Sequence, residues 1–411
     1  MTKDNVKKID EIRIGVLGNV DSGKTTMISV ISNNILDNGR GLARKKVLKH
    51  NHEQETGRTS SITHTFHYSK DDNRIVSFVD LAGHEKYYKT TVFGANCCSL
   101  DYIMLLVGAN MGVSLMTREH FLLILILKLP FIIVVTKMDL APKNVLENTI
   151  ADIKLLISKY KPNYELLEMC SDNLHSLKNF NPTNDNKVPM FKISNTNAFN
   201  LDILKQFLYS LNIYNPWLKL RSEALYFTIE DVYTVNGAGL VITGTQTSGI
   251  IKKGDKVMLG PINGNFVECL IKSIHNNFKE LVEQLDAGCS GCFSVKSIEK
   301  KVHLKRDNVK RGMVIVSKDC NNFTYKTFEA KIKILHHPTT IKKNYEPIVH
   351  CGSIRQTAKI VDIEQDLLRT GDQSIVKFEF KSRPEFIQLN KQIMFREGKT
   401  KGIGVVTKLV K

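Results

Sequence analysis

The run Gly18-Asn19-Val20-Asp21-Ser22-Gly23-Lys24-Thr25 carries the first recognisable chemistry of this chain. It fits the spacing G-x-x-x-x-G-K-[ST], in which glycines let backbone N–H groups come close to phosphate oxygens. Lys24 has the reach to meet terminal phosphates, and the Thr25 hydroxyl suits a hard cation such as Mg²⁺. Thr26 belongs to the same phosphate-binding set, at a helix N-terminus whose dipole favours an anion. Such a loop needs a strand before it and a helix after it. Ile12 to Leu17 reads as a buried strand and Thr26 to Leu36 as a helix.

Two further stretches decide which base accompanies the phosphates. Thr136-Lys137-Met138-Asp139 follows the apolar run Phe131 to Val135 and resembles the [NT]-K-x-D motif of GTPases. A carboxylate at Asp139 can accept both N1–H and the 2-amino group of guanine; adenine lacks that donor pair. The Lys137 stem can lie along the base. The loop Ser194-Asn195-Thr196 follows Pro189 to Ile193, and Ser194 and Asn195 can offer backbone N–H to the guanine oxygen. Between the phosphate loop and these stretches, Asp80-Leu81-Ala82-Gly83-His84 fits D-x-x-G at the end of the strand Ile75 to Val79. Asp80 would hold Mg²⁺, and the Gly83 N–H would sense the γ-phosphate, which makes this segment a switch. His84 is the candidate catalytic residue, placed to orient the attacking water or, protonated, to stabilise transition-state charge.

Together these residues resemble the translational GTPases related to elongation factors Tu and 1A. Within them, the GTP-binding protein 1 family is the nearest in wording. Leu36-Asp-Asn-Gly-Arg-Gly-Leu-Ala-Arg44, Glu55-Thr-Gly-Arg-Thr-Ser-Ser-Ile62, Asp80 to Tyr87, Leu335 to Thr340, His350 to Thr357 and Phe395 to Thr400 carry that resemblance. It implies a GTPase that uses GTP/GDP and Mg²⁺, delivers aminoacyl-tRNA to the ribosomal A site, and hydrolyses GTP when the ribosome stimulates it. An exchange factor is a further partner it suggests. It also implies that Thr59 closes on Mg²⁺ with Thr25 and Asp80. Elongation factors place an apolar residue before that threonine as a gate against water, paired with a valine in the phosphate loop. Val20 is present, but Arg58 precedes Thr59, so the gate is not carried over. Thr136 replaces the commoner Asn and keeps a hydrogen-bonding side chain.

The elements that must position these residues follow from the pattern along the chain. Strands are expected at 12–17, 62–68, 74–80, 102–107, 131–136 and 189–193, and helices at 24–36, 85–95, 116–128, 145–160 and 200–212. This alternation predicts a mostly parallel sheet covered on both faces, with ligand loops at its strand ends. Lys161 to Lys187, polar and Asn-rich, reads as a surface insertion. After Asn215-Pro216-Trp217 the helical pattern gives way to short β runs with Gly turns. The expected fold class is α/β plus all-β: a P-loop GTPase domain at 1–215, then β-barrel domains at 216–320 and 321–411. An N-terminal arm such as longer family members carry is not expected.

Length and charge are consistent with this. The 411 residues suit two to four domains. The polar start and the apolar run Phe121 to Val135, broken by Lys128 and Pro130, argue against a signal peptide or a membrane partner. A cytoplasmic monomer is expected, in the host cytoplasm if the chain is viral. The abundance of Lys, Asn and Ile points to an AT-rich genome such as a protist's or a large DNA virus's. Cys289-Ser-Gly-Cys292 is the sole C-x-x-C and lacks a second ligand pair for zinc. The net charge is +17. Residues 216–411 hold 32 Lys and Arg against 20 Asp and Glu, whereas residues 1–215 hold 26 against 21. The excess therefore lies outside the nucleotide domain, as a polyanion-binding surface requires. The resemblance makes Arg355, Gln356, Arg396 and Lys399 candidates for tRNA contact. The alternative readings are a GTP-dependent adaptor in termination, ribosome rescue or RNA surveillance, and a metabolic GTPase like that of sulfate-activating enzymes. The basic C-terminal half weighs against the metabolic one.

Overall fold

Strands that are apolar along their whole length fit only where both faces of a sheet are covered. Every residue of Tyr102–Gly108 and of Phe131–Thr136 is buried, and these two lie at the centre of a seven-stranded sheet. The computed structural model describes residues 10–47, 62–69, 74–171, 186–214, 216–277, 279–299, 304–320, 322–398 and 400–410. The first part runs β1 (Asp10–Gly18), α1 (Lys24–Asn33), β2 (Thr63–Ser69), β3 (Arg74–Asp80), α2 (Tyr88–Cys97), β4 (Tyr102–Gly108) and α3 (Leu115–Leu127). It continues with β5 (Phe131–Thr136), α4 (Lys143–Tyr160), β6 (Glu165–Glu168), β7 (Lys187–Lys192) and α5 (Leu201–Ser210). The strand order is β2-β3-β1-β4-β5-β7-β6, parallel except for β2 against β3. Parallel pairing brings the C-terminal ends of β1, β3, β5 and β7 to one edge.

The helices α4 and α5 bury one stripe each, whereas α1 is buried on most sides. In α5 that stripe is Leu201, Leu204, Phe207 and Leu208, at helical spacing, and Phe207 packs on Phe191 of β7 with ring centroids 5.1 Å apart. Met27 and Ile28 of α1 join the same core with Ile14, Phe78, Met104 and Val134. Ser114 caps α3, its Oγ accepting from Thr117 N at 3.1 Å. α1 ends three residues earlier than the periodicity predicts, because Asn34 takes a left-handed conformation (φ 54°) that closes the helix. The expected helix 85–95 is a 3₁₀ turn, Glu85–Tyr87, followed by α2. The stretch read as a surface insertion is partly sheet, since β6 adds a parallel edge strand to β7. Its Glu-Leu-Leu-Glu sequence gives no alternation to betray a strand.

The second part begins with a one-turn helix, α6 (Trp217–Leu220), then β8 (Tyr226–Val235), β9 (Gly239–Ser248), β10 (Ile250–Lys252), β11 (Lys256–Ile262) and β12 (Asn265–Asn276). β13 (Leu281–Val282), β14 (Gln284–Asp286), β15 (Ser290–Ser297) and β16 (Val314–Ser317) follow. The order β11-β16-β8-β9-β15-β12, with β12 returning to β11, closes a six-stranded barrel around Phe227 and Phe293. The last strands are β17 (Thr327–His336), β18 (Ile348–Cys351), β19 (Ile354–Ile363), β20 (Gln373–Phe380), β21 (Gln392–Glu397) and β22 (Thr400–Val410). They close a second barrel in the order β17-β20-β19-β18-β21-β22, filled by Phe328, Phe378, Phe380 and Phe395. β21 sits between β18 and β22 and completes the ring. Phe386 joins the two barrels, against Tyr226 (6.2 Å) and Phe266 (5.3 Å). By density of contacts the chain separates into Met1–Ala95 with Leu100–Asn215, and Asn96–Ser99 with Pro216–Lys411. Among the described residues no helix is long and apolar enough to cross a membrane.

Candidate nucleotide site

The loop between β1 and α1 is shaped by close approaches that only glycine permits. A Cβ on Gly18 would stand 2.6 Å from both the Leu106 carbonyl oxygen and Ser22 Oγ. Gly23, at φ 82°, begins α1 from a left-handed conformation. Ser22 Oγ donates to the Asn19 carbonyl at 2.9 Å, and Val20 N donates to Asn19 Oδ1 at 2.8 Å. Lys24 is buried and curls over this loop, Nζ donating to the carbonyls of Gly18 (3.0 Å) and Asn19 (2.8 Å). Burial lowers its pKa, while the charges of Asp80 and Asp21 oppose that shift.

Gly83 comes against the same loop from β3. A Cβ there would meet Lys24 Nζ and stand 2.6 Å from the Gly18 carbonyl oxygen, so a side chain would push the segment off the phosphate loop. Thr25 Oγ1 donates to Asp80 Oδ2 at 2.6 Å, both residues being buried. A hydroxyl beside a carboxylate at a phosphate loop is a hard-oxygen donor set, and it fits Mg²⁺. Thr59, the third expected ligand, and its neighbour Arg58 lie outside the described residues. His84 caps the 3₁₀ turn, its Nδ1 accepting from Lys86 N at 3.1 Å. That bond puts the ring proton on Nε2, so His84 presents a donor to its surroundings.

The base loops are tied to the phosphate loop and to each other. Thr136, fully buried at the end of β5, donates from Oγ1 to the Ser22 carbonyl at 2.8 Å. The hydroxyl therefore joins the two loops from within, which accounts for Thr in place of the commoner Asn. Lys137 takes φ 60° and turns the chain, and Met138 N donates to the Ile193 carbonyl at 3.3 Å. Asp139 Oδ1 accepts from Ser194 Oγ at 2.6 Å and Oδ2 from Thr196 Oγ1 at 3.0 Å. Burial would raise the Asp139 pKa, but these hydrogen bonds, a backbone N–H and the Lys137 charge outweigh it and lower the pKa. The carboxylate is thus held ionised and aimed. Thr196 was not singled out from the sequence beyond its loop; a second hydroxyl two residues after Ser194 was the available signal.

Asp37 was missed altogether as a part of this site. Its backbone N–H donates to the Asn195 carbonyl at 3.0 Å. Asn195 itself is buried, and among the described residues its Oδ1 has no hydrogen-bond partner.

The four residues expected to meet RNA fare differently. Arg355 is exposed on β19, where partial desolvation lowers its pKa. Arg396 is half-buried on β21, Nε donating to the Gly398 carbonyl at 3.4 Å. Lys399 lies outside the described residues. Gln356 corrects the expectation: it is buried, its Oε1 accepting from Ser382 N (2.7 Å) and Arg383 N (3.0 Å). Its Nε2 donates to Glu385 Oε1 (2.7 Å) and the Arg383 carbonyl (3.1 Å). Both ends of the amide are occupied within the barrel, so Gln356 pins the loop before Phe386 rather than facing a ligand.

Comparison with known proteins agrees with this geometry. Residues 10–285 match the family described as "Elongation factor Tu GTP binding domain". The chain is 41% identical to GTP-binding protein 1 of Xenopus laevis over 427 residues, covering 97% of this chain and 64% of that protein. It is 36% identical to GTP-binding protein 2 of Mus musculus over 435 residues, covering 98% of this chain and 70% of that protein. The chain thus spans about two thirds of the length of these relatives. In fold it is similar to translation elongation factor SelB of Methanococcus maripaludis, solved with the GTP analogue GPPNHP. The TM-score is 0.72 at 21% identity, over 98% of this chain and 80% of that one.

Proposed function

The chain belongs to the family of the elongation factor Tu GTP-binding domain and, within it, groups with GTP-binding proteins 1 and 2; from that premise we propose that it binds and hydrolyses GTP and carries aminoacyl-tRNA to the ribosomal A site. The observation that carries the nucleotide part is the set of bonds across loops. Thr25 to Asp80, Thr136 to Ser22, and Ser194 and Thr196 to Asp139 join four loops into one guanine-nucleotide site. Backbone N–H groups of residues 18 to 26 and the Lys24 ammonium bind the phosphates. Thr25 and Asp80 hold Mg²⁺, which when bound neutralises phosphate charge. Asp139 reads the guanine edge, with Ser194 and Asn195 beside it. The Gly83 N–H senses the γ-phosphate, and His84 orients water by donation from Nε2. The three-domain division at 1–215, 216–320 and 321–411 belongs to the same proposal, with the cargo on the barrels.

The basic balance of residues 216–411 and the two barrels support an RNA cargo. A protein that serves many tRNAs reads phosphate, 2′-hydroxyl and shape rather than base edges. The alternative is a GTP-dependent adaptor in termination, rescue or RNA surveillance. The burial of Gln356, which withdraws one expected RNA contact, favours it. The discriminating experiment follows GTP hydrolysis with ribosomes and with charged tRNA, added separately and together. Stimulation that needs both supports the carrier; stimulation by ribosomes alone, indifferent to charged tRNA, supports the adaptor.

A further inference from the structure

The segment Leu36 to Arg44 meets the site through the bond from Asp37 N–H to the Asn195 carbonyl. Its centre is one carboxylate. Asp37 Oδ2 accepts from Gly39 N (3.0 Å) and Gly41 N (3.3 Å), and Oδ1 from Ala43 N (2.9 Å). Asn38 Oδ1 repeats the pattern one residue on, accepting from Arg40 N (2.9 Å) and Leu42 N (3.4 Å). Gly39 (φ 77°) and Gly41 (φ 84°) supply the left-handed conformations that let the chain coil around these two side chains. A carboxylate accepting three N–H groups makes charge-assisted bonds that stiffen the turn.

The turn is anchored at both ends to the nucleotide site. At one end the Asp37 N–H donates to the Asn195 carbonyl, in the loop that holds Asp139. At the other, Ser29 Oγ of α1 donates to the Ala43 carbonyl at 2.6 Å, and Ala43 is fully buried in the core beneath α1. α1 is the helix of the phosphate loop. The turn therefore bridges the base loop and the phosphate helix outside the strand order that otherwise relates them. Asn195 is held in place by this bond on its backbone, while its side chain lies beside Gly23; its Nδ2 is 3.5 Å from where a Cβ there would stand.

We infer that Asp37 is a positioning residue for guanine recognition: its carboxylate builds the turn whose backbone fixes the Asn195 loop against Asp139. This rests on the guanine-nucleotide reading of the site. The carboxylate does not touch the base; it acts through the Asn195 carbonyl and the Ser194 and Thr196 hydroxyls that follow from that loop's position. Removing it frees three N–H groups and the turn, and the base loop loses its lateral support.

The test compares GDP with IDP, which lacks only the 2-amino group, by calorimetric titration of the full chain. The ratio of their dissociation constants reports how well Asp139 is aligned on that amino group. In Asp37→Ala, GDP should bind at least fivefold more weakly and the IDP/GDP ratio should fall at least threefold. Asp37→Asn keeps a carbonyl acceptor for the turn and should give intermediate values, and it serves as the readout if the alanine variant does not fold. A thermal melt verifies folding. A ratio equal to wild type in a folded variant, whether or not both affinities drop together, overturns the inference, because a merely structural loop would weaken both nucleotides alike. If the unaltered protein shows no preference for GDP over IDP or ADP, the guanine reading fails instead, a separate result.

Discussion

The nucleotide loops and the outer face of the last barrel are both polar, yet they are built on opposite plans. At the ends of β1, β3, β5 and β7 the side chains bond across loops, which holds Thr25, Asp80, Thr136, Asp139 and Ser194 to one another. On the barrel, Arg355 stands exposed on β19 and Arg396 half-buried on β21, where its Nε bonds to the nearby Gly398 carbonyl rather than to a remote loop. Pre-organised donors lose little on binding and discriminate by geometry. Dispersed cations act through summed charge, which tolerates the loss of one member and responds to salt. Under the proposed function, the difference would put specificity for the nucleotide in the base and phosphate loops, and that for the proposed RNA cargo in shape and total charge.

Substitutions can break that contrast in order of expected effect. Lys24→Ala removes charge-assisted bonds to phosphate and should weaken GTP by about 4 kcal/mol, roughly a thousandfold, in equilibrium titration; unchanged affinity would remove Lys24 from the phosphate site. His84→Ala should leave GTP affinity intact and slow ribosome-stimulated hydrolysis by on the order of a hundredfold in single-turnover assays; a normal rate would exclude His84 from catalysis.

Gln356→Ala should cost about 2 to 3 kcal/mol of stability in denaturant unfolding, because Glu385 and two backbone N–H groups lose their partner. The same network predicts a pH dependence. Burial raises the Glu385 pKa despite the Arg383 charge and the Gln356 and Arg383 hydrogen bonds. A carboxyl raised on folding holds its proton longer in the native state. Its contribution is full below the ordinary carboxylate range and is lost as pH rises through the raised folded value. Glu385→Gln should flatten that decline in melts taken across mildly acid pH. The smallest effects belong to Arg355→Ala and Arg396→Ala, each reducing RNA affinity a few-fold and the salt slope by about 1. An all-or-none loss from either would contradict the dispersed-charge account.

What could be read in advance follows the range of the interactions. Gly18 to Thr25 announces itself because phosphate binding needs those residue types within one turn of chain, and the flanking strand and helix are local as well. The barrels showed in the short β runs with Gly turns after residue 216, while β6 was hidden by its charged ends. Gln356 became a candidate for RNA through the family resemblance of its segment, although the period of its strand pointed inward. Ile354, Gln356, Ala358 and Ile360 alternate with Arg355, Thr357 and Lys359, which puts Gln356 on the inward face. The link from Asp37 to Asn195 joins loops remote in sequence through backbone atoms, which leave no residue-type signature. Thr136 illustrates the intermediate case. A substituted motif position is visible in sequence, but the bond to Ser22 that explains it requires the fold.

The most direct measurement is equilibrium binding to aminoacylated and deacylated tRNA, each with a non-hydrolysable GTP analogue and with GDP. The carrier account predicts tight, salt-dependent binding to charged tRNA with the GTP analogue and weak binding in the other three combinations. Binding indifferent to the amino acid and to the nucleotide would contradict it.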